Sequence, residues 1–455
     1  MTADIMSLLR KTALAIGMLL AMALILFVHP AASDSSGRIT LQLWHVSGAE
    51  DDESPVPAWF NKSQNRIRVA PVGLPFGEID QKFLTAVVGD IPPDIFEFFG
   101  PVPQWSSREA LMALDRFIER DHFDRTAIFP RLWPEMMWEG HTFAIPIGVG
   151  NEAFYWNKQH FREAGIDPER PPETWDDLTT YALKLTSYDK DGNIVRAGYL
   201  PGYWSPLGFS LFLNWPLQLG AQFLSADERR VIMNTTATVE ALNWEAGLFE
   251  KLDRDAVIRK KSSFGYGPQH GFLSGQLSMI VHKSTLPQDI HKFAPGLDYG
   301  AAPLPIPRGG KRAVIAGSLW IAIPSGSKHP EEAWDYIKYC TQASAQIRAA
   351  AEMSRKNIIT FFPANIEAAN SPVVLSQPNM DVFVKSMDWA YSSTVAPLAH
   401  MVFWRSYHDA WERVMRGQET GSVAMRRVQT DVQRMLDEQL AYNEFYRNRL
   451  RQPGK

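Results

Sequence analysis

The sequence predicts an α/β protein, and three observations carry that expectation. Stretch 39–45, ITLQLWH, places Ile39, Leu41 and Leu43 on one face at the two-residue period of a strand. An amphipathic segment at 57–65 and a strand at 67–69 follow at once, the spacing of a β-α-β unit. Further on, 174–185 carries the marks of a capped helix. Thr174 stands at the N-cap, Asp176 and Asp177 lie in the first turn against the helix dipole, and Trp175, Leu178, Tyr181, Ala182 and Leu185 recur at helical spacing.

In order along the chain, 79–88 reads as a helix with Phe83, Leu84, Val87 and Val88 inward, closed by Gly89. Residues 90–94 form a turn, and 95–99 is a buried strand. Residues 109–120 read as a helix. Stretch 143–147 is an apolar strand that Pro146 should end or bend, and 153–156 resumes as a second strand. Residues 158–164 are a short helical turn stopped by Gly165, and Pro171-Pro172 cannot continue a helix. From 188 to 295 the chain reads as mostly helical with loops. The DKDGN segment at 189–193 has its glycine at the fourth position rather than the sixth, and Leu200 stands where a calcium loop needs glutamate; a tight hairpin turn is expected. Met279-Ile280-Val281 is a strand, and 330–341 a helix with Cys340 among its apolar residues. Long helices at 404–415 and 423–446 close the chain.

Composition bounds the function. With 455 residues, 45% hydrophobic and 21% charged, the chain is that of an ordinary globular protein of one to three domains. Net charge is −4 and no basic stripe stands out, so no nucleic-acid partner is expected. The single cysteine, Cys340, cannot form an intramolecular disulfide. Residues 1–33 have the order of a signal peptide: Arg10 and Lys11, an apolar run at 12–28, then Ala31-Ala32-Ser33 for cleavage. An uncleaved anchor is the alternative, and both export the chain. With no cysteine near the cleavage region a lipid anchor is not expected, which points to the periplasm. No Gly-x-Ser-x-Gly elbow, His-Glu-x-x-His, phosphate-binding glycine loop or cysteine pair for a metal is found, in keeping with a binder that needs no cofactor and no metal.

Four motifs in a row resemble a signature of extracellular solute-binding proteins, in the branch that delivers sugars and sugar-like solutes to ABC importers. They are GHTFAIP at 140–146, YWNK at 155–158, FREAGID at 161–167 and PPETWDDL at 171–178. The resemblance runs from about residue 39 to about 440 and weakens between 200 and 260. It implies a two-lobed periplasmic-binding-protein fold of type II, with discontinuous lobes and a hinge. Residues 38–147 with 319–351 would make the N-terminal lobe, and 148–318 with 352–455 the C-terminal lobe. Gly148, Gly150 and Gly317 would lie at the crossovers, where permissive dihedrals help a hinge. It further implies a monomer that takes a sugar or polyol from the cleft to ABC permease subunits in the inner membrane.

A sugar needs flat aromatic faces for its C–H side and polar groups placed for its hydroxyls. The resemblance suggests ligand contacts at Trp44 and His45, which end the first strand, and at Asp80, with core, surface and helix-cap roles as the other readings. It suggests Phe99 and Gly100 at the end of the third strand, Asn151 and Glu152 after the crossover, and His282 after its strand. Gly317, Trp320 and Phe362 complete the set. Tyr203 and Trp204, flanked by Pro201, Gly202 and Pro206, sit in a loop where core packing is harder, which favours a stacking role for Trp204. Phosphate-binding relatives use an arginine near 397–401. Here His400 is the nearest polar residue and Arg405 would need a shift, so a neutral sugar or polyol is preferred over a glycerol-phosphate compound. A secreted carbohydrate-active enzyme is the remaining alternative, since the chain carries carboxylates enough for a catalytic pair.

Overall fold

The computed structural model describes residues 37–46, 54–202, 211–358, 361–393 and 395–450. Strand β1 (Ile39–Val46), helix α1 (Val56–Ser63) and strand β2 (Ile67–Leu74) form the expected unit, with β1 and β2 parallel and Ile39 opposite Ile67. Alternation buries Leu41 and Leu43 on one face of β1. Helix α2 (Phe76–Val88) leads to β3 (Ile95–Phe99), parallel to β1. Helix α2 turns Ile79, Phe83 and Ala86 inward; Val88, expected inside, is 88% exposed because it stands at the helix end, beyond the covered stripe.

Strand β4 (Ala144–Asn157) is the axis of the molecule. Its first half pairs antiparallel with β8 (Val314–Ala322), from Ala144 opposite Ala322 to Asn151 opposite Ala316. Its second half pairs antiparallel with β6 (Leu277–Lys283) and β7 (Tyr299–Ala302). Beyond β6 the sheet continues into β5 (Ile194–Tyr199), which makes a hairpin with Ser187–Tyr188. Among the described residues eleven strands share this sheet, and its main path runs β2-β1-β3-β8-β4-β6-β5 to that hairpin. Two groups of strands, each covered by helices, are thus bridged by β4 and β8, giving a two-lobed α/β fold.

The two-strand expectation at 143–147 and 153–156 is corrected: one strand runs through Pro146. The register between β4 and β8 shifts between Leu319 and Trp320, beside Pro146 opposite Trp320. That irregularity accommodates the missing N–H without ending the strand. The helix expected at 109–120 shrinks to Asp115–Arg120. Glu109 has φ +56° and Leu111 bridges to Pro324, which takes the segment before it out of the helix.

Helix α3 (Trp175–Leu185) has the cap read from the sequence. Thr174 Oγ1 accepts from the Asp177 amide at 3.0 Å, and the Asp177 carboxylate accepts from the Thr174 amide at 3.0 Å. The turn at 189–193 is a hairpin turn in which Asp189 accepts from the amides of Asp191 and Asn193. Helices α4 (Pro330–Thr341) and α5 (Ala343–Arg355) follow β8. Strands β9 (Phe362–Pro363) and β10 (Ala390–Ser392) add to β4 and β8, with helix α6 (Met380–Ser386) between them. Helices α7 (His400–Met415) and α8 (Gly421–Leu450) end the described chain.

Candidate functional site

Strand alternation decides what each face of the first sheet group carries. Along β3, Phe96 and Phe98 point one way, Glu97 and Phe99 the other. Phe96 stacks on Phe83 of α2 at 3.8 Å, and Trp320 packs edge-on to Phe96 and Phe98. The opposite face, with Leu43, His45, Glu97 and Phe99, looks towards α4 and α5 across a cavity of about 340 Å³. Tyr336 and Cys340 of α4 and Gln346 and Met353 of α5 form its far wall. Ile147, Gly148 and Leu319 of the bridging strands, with Phe361 and Phe362, close one side, and Gln377 and Met380 reach it from the C-terminal segment.

The cavity is mostly apolar with a few polar groups, and its volume lies in the range of small-ligand pockets. Phe99 is tilted 37° to Phe361 at 6.3 Å between centroids. A Cβ on Gly148 would meet Phe361 Cβ at 2.8 Å, and one on Gly150 would meet its ring at 3.3 Å. Neither glycine has positive φ. Both positions make room for Phe361, which stands across them. Gly100, in contrast, has φ +102°, so a side chain there would be strained.

Glu97 lines the cavity in the middle of the apolar IFEFF strand. It is partly accessible through the cavity yet enclosed by protein, and burial pushes its pKa up to about 7. Among the described residues it has no hydrogen-bond partner and no ion pair. Burial raises the Cys340 thiol far above its usual range, which disfavours the thiolate.

A second buried carboxylate fastens the bridge. Glu135, 3% exposed, accepts through Oε1 from Ser392 Oγ at 2.7 Å, Ser393 N at 2.8 Å and Ser393 Oγ at 3.1 Å. Its Oε2 accepts from Ser318 Oγ at 3.1 Å. It therefore ties the segment Pro130–Met136 to β8 and to the end of β10. Burial raises its pKa, and the serine hydrogen bonds oppose the shift.

Of the residues expected to bind ligand, His45, Phe99 and Phe362 are brought together around the cavity. Trp44, paired with Phe96, lies on the α2 side of the sheet, as does Asp80 on α2 itself; neither lines the cavity. Burial raises Asp80 to about 6. Trp320 is wholly buried, and its Nε1 donates to the Gly100 carbonyl at 2.9 Å, so it anchors that turn rather than facing the cavity. Asn151 donates to the Phe383 carbonyl at 2.9 Å, and Glu152 accepts from Asn214 at 2.5 Å; both are buried in β4 past the cavity. Gly317 is paired with Gly150 across the two bridging strands. His282, 1% exposed, lies 5.9 Å from the His270 ring, and burial lowers its pKa well below the usual range. Tyr203 and Trp204 lie outside the described residues. Trp44 Nε1, His45 Nε2, Asp80 Oδ1 and Asn151 Oδ1 are buried with no hydrogen-bond partner among the described residues. Sequence reasoning missed Glu97 as a cavity-lining residue, although a lone charge between buried phenylalanines was a signal for it.

The family model for bacterial extracellular solute-binding proteins matches residues 47–347. A protein of Brucella abortus (strain 2308), named only as a binding protein, is 24% identical over 277 residues, 61% of either chain. The sn-glycerol-3-phosphate-binding periplasmic protein UgpB of Escherichia coli (strain K12) is 28% identical over 190 residues, 40% of this chain and 41% of that one. The chain thus spans less than two thirds of the length of these curated relatives. The solved structure of the sugar-binding protein MalE from Xanthomonas citri superposes with a TM-score of 0.74 at 20% identity, over 89% of this chain and 99% of the other. That last likeness is one of fold.

Proposed function

Since the chain belongs to the bacterial extracellular solute-binding protein family, we propose that it captures a sugar or polyol-like solute in the cavity beside its bridging strands and hands it to the permease of an ABC importer. The observation that carries the reading is the cavity itself: about 340 Å³, at the ends of β1 and β3 and against β4 and β8, with Phe99, Phe361 and Phe362 in its wall. Aromatic rings cover the apolar side of a sugar, and His45, Glu97 and Gln377 offer partners to its hydroxyls.

We take residues 38–147 with 319–351 and residues 148–318 with 352–455 as the two lobes; the exchange of partners along β4 supports a division there. His45, Phe99 and Phe362 are assigned to the solute; Trp44 and Asp80, on the α2 side of the sheet, are not. Solute that touches both lobes favours the closed state by its differential affinity, and closure about the bridging strands presents the loaded form to the permease. The protein acts as a monomer in the periplasm after removal of residues 1–33, and it releases its solute unchanged. The likeness to UgpB raises a phosphorylated polyol as the other candidate. The cavity wall favours an unphosphorylated solute, because its described lining includes no lysine or arginine.

A thermal-shift screen over sugars, polyols and their phosphates tests the reading. Ligand at 100 times its Kd stabilises by about 2.7 kcal/mol, so a true solute raises the melting point. Shifts by phosphorylated solutes alone would overturn the preference, and no shift by any member would overturn the assignment to sugars and polyols.

A further inference from the structure

We infer that Glu97 makes the cavity selective for a solute bearing an ammonium group, an amino-substituted sugar within the class proposed above. The inference rests on that proposed function and sharpens it. Three buried carboxylates have donors: Glu135 is met by Ser318, Ser392 and Ser393, Glu152 by Asn214, and Glu245 by the indole of Trp411, while Asp80 Oδ1, on the other side of the sheet and away from the cavity, has none. Glu97 has none among the described residues, and no lysine or arginine shares the described cavity wall with it. A carboxyl enclosed by protein without a partner is costly, and an apolar residue would fill β3 better if packing were its only task. Its side chain instead faces the same space as Phe99 and Tyr336.

The surroundings select the sign of the missing partner. Enclosure in a medium of low dielectric strengthens attraction to a cation and repulsion of an anion. Aromatic faces add a second preference for an ammonium group, since the ring quadrupole is negative on its face. A phosphate placed there would meet Glu97 and no fixed positive charge. With its pKa pushed up to about 7, Glu97 is partly protonated near neutrality, and an ammonium beside it draws the proton off. Binding of the amine therefore releases a proton where binding of the parent sugar does not.

The test is calorimetric titration of the full chain with matched probes: glucose and glucosamine, mannose and mannosamine, galactose and galactosamine, and glucose 6-phosphate. In the wild type one amino member is expected to bind about tenfold or more tighter than its parent, with proton release seen as a dependence of the heat on buffer ionisation. Glucose 6-phosphate should not bind. Glu97→Gln, which keeps size and polarity, should equalise the pair and abolish the proton release. Equal affinities within every pair in the wild type, which needs no variant to fold, would overturn the inference and leave sugar capture standing. A preference kept in Glu97→Gln would overturn the role of this residue. Absence of binding by every sugar and amino sugar would overturn both this inference and the function it rests on.

Discussion

Removing the Glu135 side chain probes the bridge between the lobes. Four contacts converge on this carboxylate, from Ser318 Oγ, Ser392 Oγ and both the amide and hydroxyl of Ser393. Each hydrogen bond to a charged group contributes about 1.5–3 kcal/mol, but the carboxylate's own desolvation offsets much of the sum. In Glu135→Ala the hydroxyls can turn to other partners or to water entering the space, whereas the Ser393 amide cannot. The net loss should be about 3–5 kcal/mol: about 1–3 kcal/mol for the Ser393 amide left without an acceptor, plus roughly 2 kcal/mol for the space the side chain leaves. With an unfolding entropy of about 2.1 cal/mol/K per residue over roughly 400 ordered residues, that corresponds to a melting point lower by about 4–6 °C. Glu135→Gln keeps one acceptor oxygen for Ser393 and lets Ser318 Oγ accept from the new amide, so its loss should be about 1–2 kcal/mol. Urea denaturation of the three proteins, followed by circular dichroism, measures both. A loss under about 1 kcal/mol in Glu135→Ala would refute the claim that this carboxylate fastens the bridging strands.

Two further outcomes follow from the cavity wall. Gly148→Ala places a methyl group 2.8 Å from Phe361 Cβ; displacing that residue should cost about 1–3 kcal/mol by urea denaturation, and the double variant Gly148→Ala, Phe361→Gly, which removes that Cβ, should cost less than the sum of the two single variants. Glu97 has a folded-state pKa of about 7, above its ordinary value of 4.5, so its contribution to stability is present below about pH 4.5 and lost as pH rises through 7. Wild type should therefore lose stability relative to Glu97→Gln between pH 5 and pH 8, by about 1–3 kcal/mol after allowance for water in the cavity; a flat difference would count against an enclosed, unpartnered carboxyl.

Local signals carried much of the fold. The alternation of β1, the box at Thr174 and Asp177, and the Asp189 turn are each decided by neighbours within four residues, so the sequence displays them. What escaped was decided at long range. Pro146 stays in a strand because the register against β8 shifts beside it, and Gly148 is glycine because Phe361 lies across it. The site was legible only in part for the same reason. Trp44 and His45 are adjacent in the chain but face opposite sides of the sheet, and the likeness that marked the pair says nothing of which side holds a cavity. Glu97, one position from buried phenylalanines on either side, becomes a cavity residue only once α4 and α5 are placed against its face.

The central claim is that solute is held in the cavity walled by Phe99 and Phe361, and isothermal titration with the best hit of the sugar and polyol screen measures it most directly. One site per chain is expected in the wild type, and Phe99→Ala and Phe361→Ala should each weaken binding about 10- to 100-fold, the effect of losing one stacked ring. Wild-type affinity in both variants would place the solute elsewhere and contradict the account.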